Sequence, residues 1–144
     1  SDVTLNDTVI HALPTRDALL PAIMLLSLSI EKRCSISALV ANLPQRFTES
    51  DRIQHFATQD SQALLARLAI DPTPLLTAMA LNESVTAHNT IDGLRLTLSN
   101  GDIVHLRPSG NAPELRCYAE SNDSQSARQL VTSALACIPN MAHL

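Results

Sequence analysis

Apolar and polar positions change pattern several times along this chain, and each pattern predicts a different element. From Ala18 to Ile30 almost every residue is apolar, broken only by Pro21, Ser27 and Ser29. A membrane span is excluded by length: about thirteen residues at 1.5 Å each fall well short of a roughly 30 Å hydrocarbon core. The run therefore predicts a helix buried on most sides. Thr15 or Asp17 is its N-cap, and Asp17 is preferred because it keeps Pro21 close to the first turn. Glu31-Lys32-Arg33 returns the chain to solvent. Ser35 then caps a second, short helix with Ile36, Leu39, Val40 and Leu43 on one stripe, and Pro44 ends it. A domain boundary is predicted near Pro44-Gln45. The first residues, from Ser1 to about Leu13, show no period strong enough to assign.

Beyond the boundary the pattern alternates between strand and helix. Phe47 to Phe56 alternates weakly and predicts a strand. Asp60 and Asp71 are candidate caps for two helices, the second with Pro72 at its favoured first position. Leu64, Leu65 and Leu68 give the apolar face of one, and Leu75, Leu76 and Met79 that of the other. The clearest strand follows, with Leu94, Leu96 and Leu98 alternating with Arg95 and Thr97 before an Asn100-Gly101 turn. A two-residue loop there would set Leu96 opposite His105. A three-residue loop with Gly101 left-handed sets Leu96 opposite Val104 and Leu94 opposite Leu106, which keeps one face apolar and is the register expected. Arg107 then lies on the face opposite Leu106. After the next turn Leu115, Cys117 and Ala119 share one face while Arg116, Tyr118 and Glu120 share the other. Asp123 caps a last helix with Ala127, Leu130, Val131, Ala134, Leu135 and Ile138 at helical spacing, and Pro139 is expected to stop it. The fold class is therefore α+β, a small antiparallel sheet with helices on one face.

Composition narrows the function. Hydrophobic residues make up 45% of the 144 positions but aromatics only 2%, so Leu, Ile, Val and Ala must fill the core. A net charge of −4 argues against a general nucleic-acid binder. Cys34, Cys117 and Cys137 lack metal-ligand spacing, and an odd number suits a disulfide framework poorly, so they read as buried small hydrophobes. His11, His55, His88, His105 and His143 are scattered without ligand pairing. No signal peptide is visible, and the expected location is cytoplasmic.

The candidate chemistry lies in Leu106-Arg107-Pro108-Ser109-Gly110-Asn111-Ala112-Pro113-Glu114-Leu115-Arg116. Gly110 permits a backbone in which successive N–H groups converge. Ser109 adds a hydroxyl and Asn111 an amide. Arg107 and Arg116 each bring a planar fork matched to phosphate oxygens. Taken alone, the same residues also suit a surface turn carrying two solvated arginines, since Ser-Gly-Asn is ordinary turn chemistry.

From Asp92-Gly93 through this turn to Leu115-Arg116 and Glu120, the chain resembles the α-D-phosphohexomutases, and among their branches most nearly the phosphomannomutases. Their last domain carries an Arg-x-Ser-Gly/Asn-Thr-Glu-Pro-x-x-Arg loop that grips the substrate phosphate. Arg107, Ser109, Gly110, Pro113 and Arg116 match it in register, whereas Asn111-Ala112 stands where Thr-Glu is usual. Weaker similarity includes Thr15-Arg16-Asp17-Ala18 and Leu39-Val40-Ala41-Asn42-Leu43-Pro44.

The resemblance implies that residues 1–44 are the helical end of a third, α/β domain. Residues 45–144 would be the fourth domain, similar in fold to the TATA-binding protein, with no DNA function attached. It further implies a parent enzyme interconverting hexose 6- and 1-phosphates with Mg2+ and a glucose or mannose 1,6-bisphosphate activator. The phosphoserine, magnesium and sugar-reading loops of that family do not occur in this chain. The chain thus reads as a C-terminal fragment, inactive alone, with no catalytic or metal residues of its own. Its expected partners are the phosphosugar and the upstream domains, with neither nucleic acid nor membrane. Its expected phosphate-binding residues are Arg107, Ser109, Gly110, Asn111 and Arg116. Glu114 is expected to point away from the anion. Arg16 and Asp17 open a helix that faces the catalytic cleft in the family, although a cap with a solvated arginine is the plainer reading. Two alternatives remain: a stand-alone phosphosugar-binding module, and an interaction domain in which the loop is only a turn.

Overall fold

The computed structural model describes residues 2–5, 7–12 and 18–141. They divide into two compact units, Ser1–Pro44 and Gln45–Leu144. In the first, β1 (Val3–Leu5) and β2 (Thr8–Ile10) form an antiparallel hairpin with Val3 opposite Ile10. Two helices follow, α1 (Leu19–Lys32) and α2 (Ile36–Ala41). Arg33 ends α1 in the left-handed region at φ 51°. Ser35 caps α2 as expected, its Oγ accepting the Ala38 N–H at 3.2 Å. Thr15, Arg16 and Asp17 lie outside the described residues, so the expected cap of α1 does too.

Burial of α1 departs from expectation. None of its residues is buried, and Leu19 and Ile30 are 66% and 77% exposed. The sequence dictates an apolar helix, but within its own unit the packing on it comes chiefly from the short α2. One layer of two helices cannot cover apolar side chains on every side.

The second unit holds the core. Its elements are β3 (Phe47–Gln54), α3 (Thr58–Ile70), α4 (Thr73–Ala78), β4 (Val85–Asn89), β5 (Leu94–Leu98), β6 (Ile103–Pro108), β7 (Glu114–Ser121) and α5 (Ser124–Met141). The sheet runs in the order β3-β7-β6-β5-β4, every neighbouring pair antiparallel. After β3 the chain crosses through α3 and α4 to the far edge. It then meanders back strand by strand until β7 pairs with β3.

The three-residue loop expected at Asn100-Gly101 is present. Gly101 has φ 84°, Leu98 N–H donates to Asp102 O at 2.8 Å, and Leu94 and Leu96 face Leu106 and Val104. This register puts Leu94, Leu96, Leu98, Val104, Leu106, Leu115, Cys117 and Ala119 on one buried face. Leu64, Leu68, Leu75, Leu130, Val131, Ala134 and Ile138 of the helices close over it.

Several local expectations are corrected. Ala57, not Asp60, occupies the N-cap of α3, and Asp60 sits in the first turn, where a carboxylate still favours the helix dipole. Pro72 takes the N-cap position of α4, while Asp71 acts beside it by accepting the Thr73 N–H at 3.0 Å. Asp123 does serve the start of α5, accepting the Ser126 N–H at 2.8 Å; the Ser126 hydroxyl and that N–H hold its carboxyl below the usual aspartate range. Pro139 does not stop α5, which continues to Met141. Met141 is buried and its carbonyl accepts Arg67 Nη2 at 2.7 Å, which anchors the final turn despite the missing proline N–H. Of the cysteines only Cys117 is fully buried; Cys34 and Cys137 are half-buried thiols.

Candidate functional site

Strand alternation sends Ser50 and Arg52 of β3, Arg95 of β5, His105 and Arg107 of β6, and Arg116 and Tyr118 of β7 to the face the helices leave uncovered. Register then decides which of them meet. Arg116 of β7 stands directly opposite Arg107 of β6 on one side and Arg52 of β3 on the other. Three arginines therefore lie abreast on adjacent strands, with directly opposed side chains starting about 5 Å apart. His105 and Tyr118 form the next pair along, their rings 5.7 Å apart.

Like charges in direct opposition destabilise a sheet unless counter-charges intervene. Two carboxylates do so. Asp92 Oδ1 lies 2.9 Å from Arg107 Nε. Glu114 spans the other two, Oε1 at 3.7 Å from Arg52 Nε and Oε2 at 3.6 Å from Arg116 Nη2. The Glu114 side chain is only 13% exposed, so it does not point away as expected. Alternation along β7 places it on the same face as Arg116, where the arginines offset its charge.

The Asp92-Gly93 turn is fixed by close packing. Gly93 has φ 88°, and a Cβ there would collide with the Leu106 carbonyl oxygen and lie 2.9 Å from Arg107 Cα. Only glycine lets the turn approach β6 this closely. The same turn offers the Asp92 carbonyl to His105 Nε2 at 2.6 Å. One short segment thus orients both His105 and Arg107.

The Ser109–Pro113 turn differs in detail from expectation. Ser109 is buried, its N–H donates to Glu114 O at 2.8 Å, and its Oγ accepts the Asn111 N–H at 3.4 Å. Its hydroxyl therefore braces the turn from within. Gly110 is exposed, is not in the left-handed region, and would meet nothing with a Cβ. The turn closes through Ser109–Glu114 and Ala112–Glu114 backbone bonds, so the conformational freedom that Gly110 offers is not drawn on. Asn111 is exposed, so its amide is presented to solvent beside the arginine row. Arg107 and Arg116, both partly exposed, are the two predicted residues the structure brings face to face.

Arg52 was not singled out by sequence reasoning. No local signal pairs it with Arg116, because β3 and β7 are separated by the whole of the sheet's meander. Its position in a weakly alternating strand, beside core-facing Ile53, is the one clue that it points to the open face.

Geometrically, this face offers planar guanidinium donors, an amide and two hydroxyl-bearing neighbours, Ser50 and Tyr118, which line a hollow with Arg52 and Arg116. Such a set binds oxyanions. Residues 45–136 match the family described as phosphoglucomutase/phosphomannomutase, C-terminal domain. The chain is 47% identical over 137 residues to a protein named phosphomannomutase from Salmonella muenchen, covering 94% of this chain and 28% of the relative. It is 38% identical over 136 residues to a phosphomannomutase from Sinorhizobium fredii (strain NBRC 101917 / NGR234), covering 94% and 29%. The chain thus spans less than a third of either relative's length.

Proposed function

The chain belongs to the phosphoglucomutase/phosphomannomutase C-terminal domain family, and from that premise we propose that its second unit grips the phosphate of a phosphosugar on behalf of a longer hexose phosphomutase. Residues 45–144 form the phosphate-binding fourth domain in this reading. Residues 1–44 form the end of the third, and the uncovered apolar side chains of α1 and α2 are what support that assignment, since a preceding sheet would bury them. In this reading the parent is a cytoplasmic enzyme that interconverts hexose 6- and 1-phosphates, an activity in line with the name phosphomannomutase that both relatives carry.

The observation that carries the proposal is the direct opposition of Arg107 and Arg116 beside the Ser109–Pro113 turn. Two guanidinium forks at that spacing share a phosphate dianion through charge-assisted hydrogen bonds. Asn111 adds an amide where the family's threonine hydroxyl is usual. Ser109 and Gly110 contribute by shaping the turn and leaving it open, rather than by a left-handed cradle. Arg107 and Arg116 rest on Asp92 and Glu114, which hold them in place until an anion competes. Catalysis in such a domain is positioning: the phosphate that is not reacting is fixed so that the sugar's free hydroxyl meets the parent's phosphoryl donor.

Magnesium and the bisphosphate activator belong to the parent in this reading. Among the described residues no three His, Cys, Asp or Glu side chains converge as a metal-ligand set.

The test is a titration of the chain with inorganic phosphate, followed by NMR. Amide shifts concentrated at residues 107–116 are expected, saturating with added phosphate and weakening with salt. Shifts spread evenly over the surface, or none at the turn, would overturn the proposal.

A further inference from the structure

The arginine row is wider than the recognised turn. Arg52 comes from β3, remote in sequence, yet its Cα is the direct cross-strand partner of Arg116. Glu114 ties the two together through separate oxygens. Between β3 and β7 lies a hollow of about 420 Å³ lined by Ser50, Asp51, Arg52, Arg116 and Tyr118. Asp51 turns its carboxylate to the Arg52 backbone N–H at 2.8 Å rather than to the guanidinium. The three arginines therefore share two carboxylates, Asp92 and Glu114, and the row keeps an excess of positive charge on a face open to solvent.

We propose that Arg52 is a third phosphate-binding arginine, closing with Arg116 on the phosphate monoester of the hexose ligand, with the Ser50 and Tyr118 hydroxyls at the hollow's wall placed to meet its remaining oxygens. The inference rests on the phosphate-gripping reading above and assigns it a further side chain. When the anion enters, it takes over the role of Glu114 as the shared acceptor. A phosphate dianion offers more acceptor sites than one carboxylate, so both guanidinium groups are served at once. Because the two arginines sit on adjacent strands, the pairing of β3 with β7 fixes where both side chains start, side by side at the hollow.

The experiment titrates inorganic phosphate into the 144-residue chain and into its Arg52→Ala, Arg52→Lys and Arg107→Ala variants, recording the arginine Nε–Hε signals as well as the amides. The Arg52 Nε–Hε signal is expected to move with phosphate in the unmodified chain. Arg52→Ala is expected to weaken binding roughly tenfold, with Arg52→Lys recovering part of the loss. Partial rescue and a moving side-chain signal are readouts that a merely structural role would not give. If Arg107→Ala loses affinity while Arg52→Ala binds like the parent, the phosphate site stands and Arg52 is outside it. If neither variant loses affinity, or the unmodified chain shows no phosphate-dependent shift, the phosphate-gripping reading falls and this inference with it. Should Arg52→Ala fail to fold, Arg52→Gln keeps the stem and is read in the same way.

Discussion

Asp92, in the turn between β4 and β5, and Arg107, near the end of β6, fix each other, carboxylate oxygen to Nε at 2.9 Å. The contact exists because Gly93 lets the backbone of the Asp92 turn lie against β6. Both side chains are substantially exposed, 61% and 44%, so the ion pair itself adds little stability. Its effect is orientation: Arg107 is held out from the sheet in a fixed direction.

Gly93 and Gly110 should therefore respond in opposite ways to alanine. Gly93→Ala forces a Cβ into the Leu106 carbonyl and a left-handed φ on a non-glycine residue. A loss of at least about 2 kcal/mol is expected. Gly110→Ala meets no neighbour and no strain, and should melt within about 0.5 kcal/mol of the parent. Thermal melts of the two variants check this. Equal destabilisation would show that the turn at Gly110 is tighter than described.

Cysteine reactivity should sort by burial. The Cys117 thiol is pushed up to about 12, chiefly by burial and secondarily by the neighbouring Cys137 and Asp51 charges. Burial also raises the Cys137 thiol. A thiol reagent at pH 8 is expected to label Cys34 first, Cys137 more slowly, and Cys117 only on unfolding. Because the folded value of Cys117 lies above the ordinary 9, its contribution to stability is complete below pH 9. It is lost progressively as pH rises from there towards 12, since the unfolded thiol ionises first. Labelling of Cys117 in the native chain at pH 8 would contradict the packing of β7 beneath α5.

The second unit should fold alone. Every residue of the main hydrophobic cluster lies between Leu64 and Met141, whereas no described residue of the first unit is buried. Expressed separately, residues 45–144 are expected to melt cooperatively and residues 1–44 to show no cooperative transition. The reverse outcome would show that the core is misplaced.

Much of this architecture was legible in the sequence, for identifiable reasons. The β5–β6 register could be read because only one loop length at Asn100-Gly101 keeps the leucines together. The last helix was legible because its apolar positions repeat over many turns. Strand β4 was missed: Val85–Asn89 is a sheet edge, bulged between Val85 and Ala87 and mostly exposed, so it carries no alternating apolar signal. The short β1–β2 hairpin was missed likewise, because three-residue strands are too short for a period to show. At the site, Arg107 and Arg116 were visible because a turn brackets them locally. Arg52 was not, since strand pairing between the ends of a meander is settled by the whole fold. The freedom of Gly110 could be read locally but not whether the turn draws on it, since backbone bonds across the turn decide that, and Glu114 was misdirected because the compensating Arg52 was unseen.

Arg107 is the side chain on which the proposed phosphate grip depends most. The direct measurement is phosphosugar binding by the proposed longer parent with Arg107 replaced, using mannose 1-phosphate as the probe. A hydrogen bond to a charged partner contributes about 1.5–3 kcal/mol, so Arg107→Ala should weaken binding roughly ten- to a hundredfold. Arg107→Lys should recover only part of this, keeping the charge but not the fork. The melting temperature should barely move, because the side chain stands on the open face of the sheet and its partner Asp92 is exposed. Arg107→Ala binding mannose 1-phosphate as tightly as the parent, with its melting temperature unchanged, would contradict the account.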